Sequence, residues 1–253
     1  MISKAQAKHL HRLHQKKYRD ECKLFIAEGP KIVNDLLNSK YTIKEIFATP
    51  LFKIQNSKFK THQINDTELK SISLLSTPNE VFAVFEIPSP LVLHPATLAS
   101  ELVLVLDDIR DPGNFGTIIR IADWFGIKHI ICSESCVDVY NPKVVQATMG
   151  SLASVDVYFE KLTSLMENIV THIPDVKIFG TVLDGATVYS EKLSDAGIIL
   201  IGNESRGISK NLLKYITHKI SIPAFSHGAD SLNAAIATAI ICSEFKRNQA
   251  LPK

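Results

Sequence analysis

Three polar loops, each entered from an apolar run, carry residue types able to hold and act on a ligand. Leu102-Val-Leu-Val-Leu106 opens into Asp107-Asp-Ile-Arg-Asp-Pro-Gly-Asn114, and Ile198-Ile-Leu-Ile201 opens into Gly202-Asn-Glu-Ser-Arg-Gly207. Ile220-Ser-Ile222 leads to Pro223 and a loop that ends at Ser231, Leu232 and Asn233, before an Ala- and Ile-rich stretch. Gly202 and Gly207 let backbone approach a bound molecule closely, while Asn203, Glu204, Arg206, Ser231 and Asn233 place donors and acceptors around it. Polar residues at the carboxyl ends of strands are how an open α/β sheet builds a ligand site.

The elements that must position these loops follow from apolar periodicity. Residues 102–106, 127–133, 155–159, 177–182 and 198–201 read as strands, and the helices between them predict a mostly parallel sheet covered on both faces. The spacing predicts a helix over 115–125 with Ile118, Ile119, Ala122 and Phe125 on its apolar side, which puts Asn114 at the N-cap. Arg120 then has to leave that apolar side. On residue type alone Asn114 is either a cap or a functional amide, and Arg120 either a surface cation or a functional one. Asn141-Pro-Lys143 starts a helix through Met149 with Pro at its first position, and Asn233 to Phe245 forms the last helix. Asp184-Gly185 reads as a tight turn closing the strand before it.

The amino-terminal region reads as a separate, small α/β module. Ser3 to Phe25 is a basic helix and its exit, with Leu10, Leu13 and Tyr18 on a thin apolar stripe. A short strand ending in a turn is expected over 24–30, further strands over 43–48, around 61–64 and over 81–87, and helices over 31–37 and 66–75. Pro88, Pro90 and Pro95 disfavour helix and central strand, which places a linker at 89–100 between a module of residues 1–88 and one of 101–253. Residues 1–90 hold 14 Lys and Arg against 9 Asp and Glu, and residues 91–253 hold 14 against 17. A basic first third suits contact with a phosphate backbone.

Composition removes several classes of function. Apolar content of 45% with 21% charged residues fits a globular chain, and the longest apolar tract, 234–242, is too short to span a bilayer. The chain therefore reads as cytoplasmic. Cys22, Cys132, Cys136 and Cys242 form no disulfide framework. No second Cys or His pair stands near Cys132 and Cys136, so no metal site is expected, and His9, His11 and His14 read as a solvated helix face. The chain has neither the P-loop pattern nor the dinucleotide glycine spacing, which weighs against an NTPase or a dehydrogenase.

Together, Leu106–Arg120, Ile199–Ser209 and Ile220–Cys242 closely resemble the three motifs of the SpoU (TrmH) family of RNA ribose 2′-O-methyltransferases. The amino-terminal Phe25-Ile-Ala-Glu-Gly-Pro-Lys31 is similar to a ribosomal-protein-like substrate-binding domain carried by many members. The resemblance implies a knotted (SPOUT-type), mostly parallel α/β sheet preceded by that smaller α/β domain, S-adenosyl-L-methionine as cofactor, RNA as substrate and a homodimer. It implies functional roles for Asn114, Arg120, Glu204, Ser231 and Asn233. It also implies a cofactor site drawn from Thr181, Leu183, Gly202, Asn203, Gly207, Ile222, Pro223 and Leu232. Family members assign the general base to the position of Arg120. A guanidinium scarcely deprotonates in proteins, so Arg120 is expected here to hold a phosphate and stabilise alkoxide charge, with the proton leaving to solvent or Glu204.

Lys16, Lys17, Arg19, Arg110 and Arg206 are expected to meet RNA; Glu28 is either a further contact or a carboxylate stabilising the turn at Gly29. Gln146 and Thr148 stand where some relatives have Arg and Ser. The expected reaction is 2′-O-methylation of 23S ribosomal RNA, with transfer RNA as the alternative substrate and a non-catalytic RNA-binding ribosome-assembly factor as the alternative class.

Overall fold

The computed structural model describes residues 2–53, 59–226 and 231–247. Contacts divide the chain into two compact units, Met1–Ser89 with Asp138–Ser154, and Pro90–Val137 with Val155–Lys253.

The first unit begins with α1 (Lys4–Arg12) and α2 (Lys16–Cys22) where one helix was expected. Leu10 and Leu13 both insert fully into the core, and the chain tightens after α1 through three-residue turns at Leu13, His14 and Gln15. Arg19 finishes the break, its Nη1 donating to the carbonyls of Leu13 and His14 at 2.9 Å each. The histidines of this region are not merely solvated: His9 Nδ1 bonds the Tyr18 hydroxyl at 2.6 Å and His11 Nε2 meets the Ser71 carbonyl at 2.7 Å. Burial lowers the pKa of His14 to about 4.

Then come β1 (Leu24–Glu28), α3 (Pro30–Leu37), β2 (Ile43–Ala48), β3 (Thr61–Gln63), α4 (Asp66–Ile72) and β4 (Val81–Glu86). They form a four-stranded sheet in the order β1-β4-β2-β3, antiparallel except for β2 and β3. Asn65 and Glu68 start α4 with a reciprocal capping box. The expected linker ends in a helix, α5 (Pro95–Ser100), because Pro95 sits at a first turn where no N–H is needed and His94 caps it.

The second unit is built on β5 (Leu102–Leu106), which is buried along its whole length, as a continuous apolar run requires of a strand covered on both sides. It continues with α6 (Pro112–Trp124) and β6 (His129–Ser133); α7 (Pro142–Ala147) lies in the segment that packs with the first unit. β7 (Asp156–Glu160), α8 (Leu162–His172), β8 (Ile178–Thr187), β9 (Gly197–Ile201), α9 (Lys210–Leu213), β10 (His218–Ser221) and α10 (Ala234–Lys246) complete it. Its six strands run parallel in the order β10-β8-β9-β5-β6-β7.

Alternate residues serve opposite faces of this sheet. Val103, Val105, Ile178, Ile198 and Leu200 pack in one cluster with Leu162, Met166 and Ile169 of α8. Phe179, next to Ile178, instead meets Phe245 of α10 edge-on at 4.9 Å. Each such fully buried aliphatic or aromatic side chain contributes about 1.5–3 kcal/mol. No described helix is long and apolar enough to cross a membrane.

Candidate active site

Strand pairing decides which loops meet. β5 and β9 are neighbours, with Leu106 opposite Ile201, so the loops that follow them leave the sheet side by side. The Asp107 N–H donates to the Ile201 carbonyl at 2.9 Å, and the Asp107 carboxylate accepts the Ser209 N–H at 2.7 Å. Asn203 ties the second loop to the first, its Nδ2 donating to the Asp108 carbonyl at 2.9 Å. Its Oδ1 meanwhile takes the N–H groups of Ser205 and Arg206. Asn203 and Gly207 close this loop with reciprocal backbone bonds of 3.1 and 2.9 Å.

Helix α6 starts three residues earlier than the apolar pattern suggested, and this changes what Asn114 does. Asp111 is the N-cap, its side chain accepting the Asn114 N–H at 2.8 Å, and Pro112 occupies the first helical position. With its backbone satisfied by Asp111, Asn114 has its side-chain amide available. Asn114 Nδ2 donates to Glu204 Oε1 at 2.6 Å, and Asn114 Oδ1 accepts from Asn233 Nδ2 at 2.8 Å. Asn233 caps α10, its Oδ1 accepting the Ala235 and Ile236 N–H groups at 2.9 and 3.2 Å. A chain of amide dipoles therefore runs from the positive end of α10 through Asn233 and Asn114 to the Glu204 carboxylate. Ser231 adds a long contact, Oγ to the Glu204 carbonyl at 3.5 Å.

Beside this chain lies a cavity of 760 Å³, within the size range of small-molecule sites. Thr181, Leu183, Gly202, Asn203, Gly207, Ile222 and Leu232 line it, together with Glu204, Arg206 and Ser231. Pro223, Asn114, Asn233 and Arg120 are not among its walls. The strands make room for it: β10 pairs with β8 at Phe179 and Gly180, then jumps to Ala186 and Thr187. Residues 181–185 thus step out of the ladder, and the first four of them line the cavity. Asp184 and Gly185 are part of extended β8 rather than a tight turn. Gly185 is required there because a side chain would run into the Ile220 backbone. Lys219, paired with Asp184 at 3.2 Å, also lines the cavity; its neighbours Ile220 and Ser221 line it too, so alternation along β10 does not single it out.

The residue types fit a sulfonium-bearing nucleoside. Ile201, Ile208, Leu213, Ile222 and Leu232 supply apolar surface for a heterocycle, and the loop 202–207 supplies main-chain groups and a carboxylate for its polar end. No cluster of His, Cys, Asp and Glu able to hold a metal occurs among the described residues. Under the first loop, Cys136 Sγ accepts the Ile109 N–H at 3.3 Å and lies 3.4 Å from Ser133 Oγ. A hydrogen bond from Cys132, helped by those from Ser133 and Ile109, brings the Cys136 thiol down to about 7, while burial holds Cys132 well above its ordinary value.

The expected RNA contacts separate. Lys16 and Lys17 are exposed on α2. Arg19 is only 1% exposed and is locked to Asp138 at 2.5 Å, so its charge is spent inside the first unit. Glu28 is buried, accepting bonds from the Ser73 hydroxyl and the Leu74 N–H, and burial raises its pKa. Both side chains are instead held by contacts within the first unit. Arg110 and Arg206 are exposed, both beside Asp108. Arg120 is exposed on α6 and bonds to no described residue. Thr148 is fully buried, its hydroxyl donating to the Val145 carbonyl.

Comparison with known proteins gives a consistent set of likenesses. The profile of the SpoU rRNA Methylase family matches residues 101–243, and that of the MRM3-like substrate binding domain matches residues 4–83. A Bacillus subtilis 23S rRNA (guanosine(2553)-2′-O)-methyltransferase is 28% identical over 91% of each chain. A Porphyromonas gingivalis structure assigned to the TrmH family of RNA methyltransferases is 36% identical, covers 98% of this chain and 100% of its own, and has a TM-score of 0.87. A Sinorhizobium meliloti rRNA methyltransferase solved with S-adenosylmethionine bound is 30% identical over 99% of this chain and 98% of its own, with a TM-score of 0.86.

Proposed function

The chain belongs to the SpoU rRNA Methylase family, and on that premise we propose that it methylates a ribose 2′-hydroxyl of 23S ribosomal RNA. The observation that carries the reading is the Asn233–Asn114–Glu204 hydrogen-bond chain at the rim of a nucleoside-sized cavity. When bound, S-adenosylmethionine supplies a methyl group already attached to a cationic leaving group. What remains for the protein is to position and polarise the hydroxyl. Asn114 fixes one carboxylate oxygen of Glu204, which orients the carboxylate to accept a hydrogen bond, and then the proton, from the attacking hydroxyl. Arg120 remains protonated throughout and acts as a charge, holding a phosphate and balancing the alkoxide as it forms.

The reading includes a knotted carboxyl-terminal course, a homodimer and a cytoplasmic location. The dimer is supported by Trp124 of α6 and Ile236 of α10, which are 84% and 54% exposed on two helices that pack together. Apolar surface of this size on adjacent helices fits an interface. Arg120 stands one turn from Trp124 on the same side of α6, so pairing of these helices would bring its charge to the boundary between copies.

The test is methyl transfer from labelled S-adenosylmethionine to unmodified 23S ribosomal RNA and, separately, to transfer RNA, with products analysed for alkali-resistant linkages. Label in ribosomal RNA, reduced at least a hundredfold by Arg120→Ala, is the expected result. Label in transfer RNA alone would overturn the substrate. Failure to bind S-adenosylmethionine would leave a non-catalytic RNA-binding protein.

A further inference from the structure

Asp108 is a carboxylate that the reaction as described does not use, yet it is among the most tightly fixed residues of the site. Its side chain is 12% exposed and its backbone lies in the left-handed region, with φ of 60°. Three elements hold it there. Its N–H donates to Ser133 Oγ at the end of β6, its carbonyl accepts Asn203 Nδ2 from the loop after β9, and the next N–H donates to Cys136 Sγ. A left-handed conformation at a residue other than glycine is uncommon and persists where its surroundings impose it.

The carboxylate so fixed faces two arginines. Oδ1 accepts Arg110 Nε at 2.6 Å, and Oδ2 lies 3.8 Å from Arg206 Nη1. Both guanidiniums are otherwise exposed, at 60% and 73%. Exposed ion pairs contribute little to stability, since solvent screens them and two long side chains lose freedom. Two cations anchored on one buried carboxylate serve better as a prearranged fork for a third, anionic group. Arg110 engages Asp108 through Nε, so its terminal nitrogens make no bond to a described residue. Arg206 and Glu204 line the same cavity, which places one arm of the fork on the wall that carries the carboxylate receiving the hydroxyl.

We propose that Asp108 is a positioning residue that sets Arg110 and Arg206 as a joint clamp for an RNA backbone phosphate next to the methylated ribose. The inference rests on the RNA-methylating reading above, and the sign of one substitution tests it. Asp108→Asn keeps the shape and tolerates the left-handed backbone, but removes the charge that gathers the arginines. If Asp108 were simply an acidic group near the substrate, neutralising it would relieve repulsion of phosphate and strengthen RNA binding. If it positions the arginines, neutralising it weakens binding.

The measurement is steady-state methylation of unmodified 23S ribosomal RNA together with RNA binding across a salt series. For Asp108→Asn, KM for RNA is expected to rise about tenfold with kcat within about twofold, the pattern of lost ground-state binding. S-adenosylmethionine is kept saturating throughout, because Arg206 also lines its cavity. In an Arg110→Ala/Arg206→Ala background, Asp108→Asn should have no further effect, and the slope of log affinity against log salt should fall by about one unit or more. Unchanged or tighter RNA binding by Asp108→Asn, or an undiminished effect in the double-alanine background, overturns the proposal. If the double-alanine variant itself binds RNA with wild-type affinity and salt slope, the arginines make no phosphate contact and the clamp falls while methylation stands.

Discussion

At the scale of single residues, Asn233 does two jobs with the two ends of one amide. Its oxygen caps α10 and its nitrogen holds Asn114, which in turn holds Glu204. The jobs can be separated because only one needs an amide. Asn233→Ala should lose both, costing about 1 kcal/mol of stability for the cap and lowering kcat by on the order of a hundredfold, because Glu204 is no longer held in line. Asn233→Ser should restore the cap, serine being as good an N-cap as asparagine, but its shorter side chain cannot bridge to Asn114. Thermal unfolding and kcat measured on both variants check this. Recovery of turnover by serine along with recovery of stability would mean that Asn233 acts through the helix alone.

At the scale of elements, the two glycines of the 202–207 loop are required for different reasons, and their variants should differ accordingly. A Cβ on Gly202 would strike the backbone of Gly207 and Ile208, which cannot move without opening the loop. A Cβ on Gly207 meets nothing within 4 Å, but the residue has φ of 66°. Gly202→Ala should therefore abolish S-adenosylmethionine binding, whereas Gly207→Ala should cost roughly 1–2 kcal/mol of backbone strain and Gly207→Asn less. Titration calorimetry of the three variants would show it, and normal binding by Gly202→Ala would remove this loop from the cofactor site. The sequence made such strands and loops legible because continuous apolar runs have few other uses in a domain of this size. It misplaced the start of α6 because Asp111-Pro-Gly113 is equally good local chemistry for a turn and for a capped helix entry. It took Asp184-Gly185 for a turn for the same reason, since only the backbone of Ile220, 35 residues on, shows that Gly185 serves close packing. The Asn114–Glu204 and Asn114–Asn233 bonds join residues 90 and 119 positions apart. No spacing rule reaches that far; the three loops were associated through resemblance, and the structure supplies the bonds between them.

At the scale of the whole molecule, charge and proline content mark where the basic first third ends, but the segment 138–154 contains no such mark of the unit it packs with. It joins Met1–Ser89 through contacts formed only on folding. Asp138 pairs with buried Arg19, and Tyr140 packs against Phe25 and Tyr41, with ring centroids 4.8 and 6.4 Å away. Gly150, with φ of 100°, packs directly against the Asp35 side chain. A chain beginning at Pro90 would strip all of these partners from a segment in the middle of what remains. The described walls of the cavity, by contrast, all fall within residues 181–241, none of which belongs to the first unit. The fragment 90–253 should therefore bind S-adenosylmethionine with near-wild-type affinity while being cleaved first within 138–154 on limited proteolysis. The full chain carrying Arg19→Met should show a milder form of the same weakness. Removing one partner of a buried ion pair costs about 3–5 kcal/mol because the other is left unpaired; Asp138, still 15% exposed, can recover part of its hydration, so the lower end is expected. Cleavage elsewhere, or loss of cofactor binding by a fragment that remains folded, would mean that the segment supports the cavity rather than the amino-terminal unit. The same fragment should also lose most of the salt-dependent part of RNA affinity, since residues 1–90 carry the net positive charge and residues 91–253 a net negative one.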